Sequence, residues 1–155
     1  MSTNYNRPVN RLLTAALTAV ALAFAGCGAS ITVPDIGSCL FSGLTQLIYP
    51  IPGSTNVPNA LQQIVFATSQ LFPSGFNVLI HSDPNPNTAT NGTAAFFQRI
   101  QQTQVPQPSA ALTISNPFYE SAALSGSFSH GTYYAFLNDS RVKCMPTPAG
   151  SFTTQ

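Results

Sequence analysis

Charge is scarce in this chain. Asp, Glu, Lys and Arg together make up 6% of its residues, against about 25% in an ordinary soluble domain. It therefore has no basic patch to neutralise phosphates, which argues against nucleic acid as a partner, and no polybasic stripe for anionic lipid. Histidine is nearly as scarce, with only His81 and His130 present. No Cys or His pair stands at ligand spacing, so no metal site is expected. No glycine-rich loop leads from a strand into a helix, which removes a phosphate cradle, and no cofactor is expected. A Ser-His-Asp set can be drawn on paper from His81, Asp83, Ser127, Ser129 and His130. However, Gly126-Ser-Phe-Ser-His-Gly131 is not a Gly-x-Ser-x-Gly elbow, and serine and glycine are ordinary turn residues. No catalytic residue is assigned, and the protein is expected not to be an enzyme. Tryptophan is absent altogether.

What the chain does have begins with Arg11 to Cys27. Arg7 and Arg11 form a positive patch without a nearby acid, Leu12 to Ala25 is uncharged and rich in Ala and Leu, and Ala25-Gly26 leads into Cys27. This is the three-part layout of a secretory signal peptide. As a helix the apolar run spans only roughly 21 Å at its rise per residue, short of the ~30 Å hydrocarbon core that a permanent anchor must cross. The residues Phe24-Ala25-Gly26-Cys27 resemble a bacterial lipobox. That resemblance implies a diacylglycerol on Cys27, removal of the preceding peptide and acylation of the new amino terminus. Two or more acyl chains hold a protein on a membrane where one chain is marginal. The implied division is 1–26 lipoprotein signal peptide, 27–38 lipidated tether and 39–155 folded body. The charges after residue 26 are Arg99, Arg141 and Lys143 against Asp35, Asp83, Glu120 and Asp139, three against four.

The body is long enough for one hydrophobic core. Thirteen prolines and ten glycines punctuate the chain, and its many Val, Ile, Thr, Tyr and Phe residues favour short strands between turns. The segment from Leu44 reads as a strand that Pro50 and Pro52 confine to a sheet edge. Leu61 to Thr68 follows, with Ile64 and Phe66 on one face and Val65 and Ala67 on the other. Phe76–His81 has the cleanest period-two alternation. Asp83 to Gly92 is a loop. Residues 94–103 fit two readings: Phe96, Phe97 and Ile100 stand at helical spacing, while Phe96, Gln98 and Ile100 alternate. Strand is preferred because the neighbours are strands and turns. Ala111–Ser115 and Phe118–Ala123 read as short strands around Asn116-Pro117. Gly131 to Asn138 is a strong strand, with Tyr133, Ala135 and Leu137 opposite Tyr134 and Phe136. Gly150–Thr154 closes the chain. Phe96-Phe97, Phe118-Tyr119 and Tyr133-Tyr134 each place rings on both faces of a strand; packing between strands or under a loop is the preferred reading, and the alternative leaves one ring of a pair open to a sugar or a partner.

Seven or eight short strands with regular turns point to an all-β sandwich or barrel. Tyr49-Pro-Ile-Pro-Gly-Ser-Thr-Asn-Val-Pro58, Gln63-Ile-Val-Phe66, Gly131-Thr-Tyr-Tyr-Ala-Phe-Leu137 and Gly150-Ser-Phe-Thr-Thr154 resemble bacterial Ig-like domains of extracellular proteins. The resemblance implies an Ig-like β-sandwich of about seven strands whose first and last strands run parallel and adjacent. It also offers Tyr133 or Tyr134 for a tyrosine corner. It implies no catalysis, since such domains serve as spacers, adhesins and accessory modules. Three cysteines are an odd number for an exported chain. Once Cys27 carries lipid, Cys39 and Cys144 remain. In that sandwich both fall at the same end, and a Cys39–Cys144 disulfide suits an oxidising compartment. The expected protein is a lipid-anchored, non-enzymatic Ig-like module of the bacterial cell envelope, facing the periplasm or the exterior. Its expected partners are the membrane, through the anchor, and an envelope protein or polysaccharide. The alternative is a small envelope hydrolase, or an accessory subunit of an envelope enzyme or transporter.

Overall fold

The computed structural model describes residues 38–155 apart from Leu40, Thr90 and Asn91. The expected signal helix, Cys27 and the expected tether up to residue 37 lie outside the described residues. The body holds seven strands: β1 (Thr45–Tyr49), β2 (Gln63–Thr68), β3 (Phe76–His81), β4 (Thr93–Ile100), β5 (Phe118–Ala123), β6 (Gly131–Asp139) and β7 (Thr147–Thr154). Among the described residues no helix is long and apolar enough to cross a membrane.

All strand pairs are antiparallel, in the order β1-β2-β5-β4-β3-β6-β7. β4 joins two halves. Its first residues, Thr93 to Phe96, pair with β3, and Phe97 to Ile100 pair with β5. On one side stand β1, β2, β5 and β4; on the other stand β3, β6 and β7. This is the strand order of a constant-type immunoglobulin sandwich. The halves share one core, to which Leu47, Ile64, Phe66 and Ala122 come from the first and Val78, Ile80, Ala135, Leu137 and Phe152 from the second.

The period-two patterns explain which residues go in. Ile64 and Phe66 face the common core, while Val65 and Ala67 pack outward against Ile48 and Val105. Likewise Ala135 and Leu137 face inward, and Phe136 packs outward with Leu79 and Ala89. The outer faces are thus covered by connections, the first by Val105 and Ala110 and the second by Ala89, which is why these strands are apolar on both sides. Tyr133 makes the tyrosine corner, its hydroxyl donating to the Ser129 carbonyl at 3.2 Å.

The flanks of β1 meet β7 in parallel, at Ser38 with Met145 and at Val57 with Thr154. β1 itself pairs only with β2. β7 carries one extra residue opposite the Ala135–Phe136 step, and such a bulge bends its strand. Gly150 then comes so close to β1 that a Cβ would stand 2.8 Å from Leu47 Cδ2.

Three strand expectations change. Residues 94–103 are strand to Ile100 and then a single 3-10 turn, Gln102–Gln104. Ala111–Ser115 is not a strand. Prolines flank it, and the Gln46 side chain takes the place of a neighbouring ladder. Gln46 Nε2 donates to the Ala111 carbonyl at 2.7 Å, and Gln46 Oε1 accepts the Thr113 N–H at 2.9 Å. β7 begins at Thr147 rather than Gly150, with Pro148 tolerated because β7 is an edge.

Candidate functional site

The strands run between two poles. The chain arrives at Ser38 on the proximal pole, which also carries the β2–β3, β4–β5 and β6–β7 connections. The other three connections form the distal pole.

At the proximal pole Cys39 is buried and bonded to Cys144, with 4.9 Å between their Cα atoms. The expected pairing is therefore present. It is backed by the Cys39 N–H donating to the Met145 carbonyl at 2.8 Å and by Thr147 Oγ1 donating to the Cys39 carbonyl at 2.9 Å. Both cysteines reach this pole because the flank of β1 runs parallel to β7. Beside them, Asp139 accepts three bonds from Arg141: the backbone N–H at 3.0 Å, Nε at 2.8 Å and Nη2 at 2.7 Å. These bonds hold the Asp139 carboxyl below its ordinary range.

Glu120 lies on β5, 5% exposed. Its Oε2 accepts the Phe72 N–H at 2.6 Å, fastening the β2–β3 connection. Burial pushes its carboxyl above the ordinary value, against the lowering pull of the Phe72 N–H and of Arg99. Over it lies a cluster of rings. Phe72 stacks on Phe97 at 4.2 Å between centroids and meets Phe41 at 4.7 Å. Neither Phe41 nor Phe72 was expected in the core, because each sits outside any periodic run. The one available signal was their position, two residues after Cys39 and one before the Pro73-Ser-Gly75 turn.

At the distal pole His81, Ser82, Ser127 and Ser129 line a cleft of about 300 Å³. The structure thus gathers one imidazole with several hydroxyls. It does not gather the rest of a triad. His81 Nδ1 accepts the Asp83 N–H at 3.0 Å, and the Asp83 carboxylate instead accepts the Asn85 N–H at 2.9 Å. Asp83 therefore does not orient the imidazole as the carboxylate of a triad would. His130 is exposed and lies outside the cleft lining. Among the described residues no three His, Cys, Asp or Glu side chains group to hold a metal ion.

Besides a hollow of about 330 Å³ beside Cys39 and Phe41, two more flank the body. The larger, about 540 Å³, is bordered by Arg99, Gln101, Gln104 and Tyr119. The other, about 420 Å³, lies between Tyr49-Pro50 and Pro108. Of the three aromatic pairs, only the Phe96-Phe97 pair leaves a ring mostly exposed, with Phe96 in solvent over 59% of its surface and Phe97 packed on the core. Phe118 is half-buried with the Arg99 guanidinium over its face at 5.2 Å. Tyr133 and Tyr134 are half-buried, Tyr133 against the common core and Tyr134 against the outer cluster. No protein-family model, curated protein or solved structure matches the chain.

Proposed function

We propose that this protein is a lipid-anchored, non-enzymatic Ig-like module of the bacterial cell envelope with a binding or structural role. One observation carries the reading: of three cysteines, Cys39 and Cys144 bond to each other, which leaves Cys27, at the end of the apolar run, as the odd one. An odd cysteine in an exported chain asks for a separate chemistry, and thioether lipidation after Ala25-Gly26 supplies it. The disulfide agrees with an oxidising compartment. The non-enzymatic part draws on His81, whose ring nitrogen bonds a backbone N–H rather than a carboxylate.

Intact mass of membrane-extracted protein tests this. The expected result is loss of residues 1–26 together with the added mass of a diacylglycerol and a further acyl chain on the fragment that begins at Cys27. A mass with neither change would overturn the anchored reading. For the role, replacing His81 by Ala is expected to leave capture of an envelope partner or polysaccharide unchanged. Ester hydrolysis by the native protein that the His81→Ala variant lacks would turn the reading towards the hydrolase.

A further inference from the structure

The exposed apolar side chains are not spread over the body. Among the described residues five large hydrophobics stand well out of their surroundings: Leu44, Leu71, Phe96, Leu112 and Val142. Four of these are on the proximal side. Leu44 immediately precedes β1, Leu71 lies in the β2–β3 connection, Leu112 in the β4–β5 connection and Val142 in the β6–β7 connection. The hydrogen bonds hold these segments near one another. The Leu44 N–H donates to Ser69 Oγ at 2.8 Å, and its carbonyl accepts the Ser69 N–H at 2.9 Å. The Ser140 N–H donates to the Gly75 carbonyl at 3.0 Å. Thr113, next to Leu112, bonds Gln46 of β1. The distal connections contain none of the five.

Charge follows the same division. All three cations of the body belong to the proximal half: Arg99 near the end of β4, and Arg141 and Lys143 on either side of Val142. Arg141 is matched by Asp139. Arg99 and Lys143 are exposed and make no ion pair among the described residues. Among the described residues the carboxylates on this half, Glu120 and Asp139, are buried, whereas the distal pole carries Asp83; Asp35, in the segment before Ser38, lies outside the described residues. The proximal half therefore holds most of the exposed apolar side chains together with Arg99 and Lys143, among exposed Ser and Gln residues.

We propose that the proximal pole rests on an anionic phospholipid surface, with Leu44, Leu71 and Val142 seated at the headgroup boundary and Lys143 and Arg99 among the phosphates. The place where the chain leaves the body argues for this occupant. Residues 1–37 precede Ser38, and they contain the one long apolar run and Cys27. A tether from Cys27 would enter the body at this pole, which is therefore the nearest part of the body, along the chain, to the bilayer that holds the acyl chains. Exposed leucines and valine then gain by leaving water, and cations gain near anionic headgroups. The distal cleft and its Asp83 face away from the membrane, towards whatever the protein meets there. The docking rests on the anchored reading above for its tether, not for its surface.

The absence of tryptophan makes the test clean. The full-length protein, membrane-extracted, carries one introduced tryptophan as Leu71→Trp or Val142→Trp, with Ser127→Trp as the distal control. Each is placed in phosphatidylglycerol–phosphatidylethanolamine vesicles with brominated acyl chains. A residue seated at the boundary lies ~5–10 Å into the layer, so the two proximal variants are expected to lose about half their emission while Ser127→Trp keeps its own. Because all three positions are exposed, the fold is retained, and circular dichroism verifies it. Emission unquenched at both proximal positions, or quenched equally at the distal one, overturns the docking. So does a proximal pole shielded from soluble iodide yet untouched by brominated lipid, which would assign the pole to a protein partner. Intact mass of the same sample separates the two proposals. Acylated protein with unquenched proximal tryptophans sinks the docking alone, and unacylated protein with quenched ones sinks the anchor alone.

Discussion

Glu120 and Asp139 sit on the same pole and respond to acid in opposite directions. Glu120 has its carboxyl value raised above 4.5 in the folded state by burial. The folded protein therefore holds that proton more tightly than the unfolded chain. Its contribution to stability is greatest below pH 4.5 and is lost as pH rises through the folded-state value. Glu120→Gln keeps an acceptor for the Phe72 N–H and removes the titration, so urea midpoints measured from about pH 4 to about pH 7 should decline in the native protein and stay level in the variant. Asp139 has its value lowered below 3.8, chiefly by the Arg141 side chain. Its contribution is present above pH 3.8 and is lost only as pH falls through the lowered value. Asp139→Asn should blunt that more acidic loss and leave the Glu120 slope untouched. Thr68 offers a different test. It is fully buried, and its hydroxyl has no hydrogen-bond partner among the described residues. Thr68→Val removes an unsatisfied group at nearly constant shape and should stabilise by about 1 kcal/mol in thermal or urea unfolding.

At the level of elements, the β1 flank and the β2–β3 connection are the parts held from outside the ladders. The Cys39–Cys144 bond closes a separation of 105 residues, for which chain entropy alone gives up to ~4.7 kcal/mol. Replacing both cysteines by alanine should cost about 2–4 kcal/mol. Hydrogen exchange should quicken first at Cys39, whose N–H bonds Met145, rather than in β2 or β3. Phe72→Ala removes the ring stacked on Phe97 and should cost about 3–5 kcal/mol, measured by urea unfolding, despite lying outside any strand. The sequence pattern located β2, β3 and β6 well because each alternates cleanly. It placed a strand at Ala111–Ser115 because the local residues favour extension. Whether an extended segment becomes a strand depends on a neighbour with free backbone groups, and there the Gln46 side chain supplies the partner instead.

For the whole molecule, scarcity of charge governs how it responds to solution conditions. The described residues hold one salt bridge, Asp139–Arg141. Raising salt from about 50 mM to about 500 mM screens surface pairs and should move the melting temperature by less than about 2 °C. Composition and alternation were enough to specify an all-β body, because burying apolar residues at period two leaves few other solutions. Proline placement was enough to put β1 at an edge, since a missing N–H cannot join a ladder from the middle. The absence of a polybasic stripe was equally plain in the sequence. That Arg99 and Lys143, far apart along the chain, nonetheless share a pole with Leu44, Leu71 and Val142 was decided only by the way antiparallel strands return every second connection to the same end. His81 and Asp83 show the converse. They are neighbours in sequence, but the turn between them spends the imidazole nitrogen on a backbone N–H and points the carboxylate at Asn85. Local pattern sets which residues leave water; the three-dimensional path of the chain sets which of them meet.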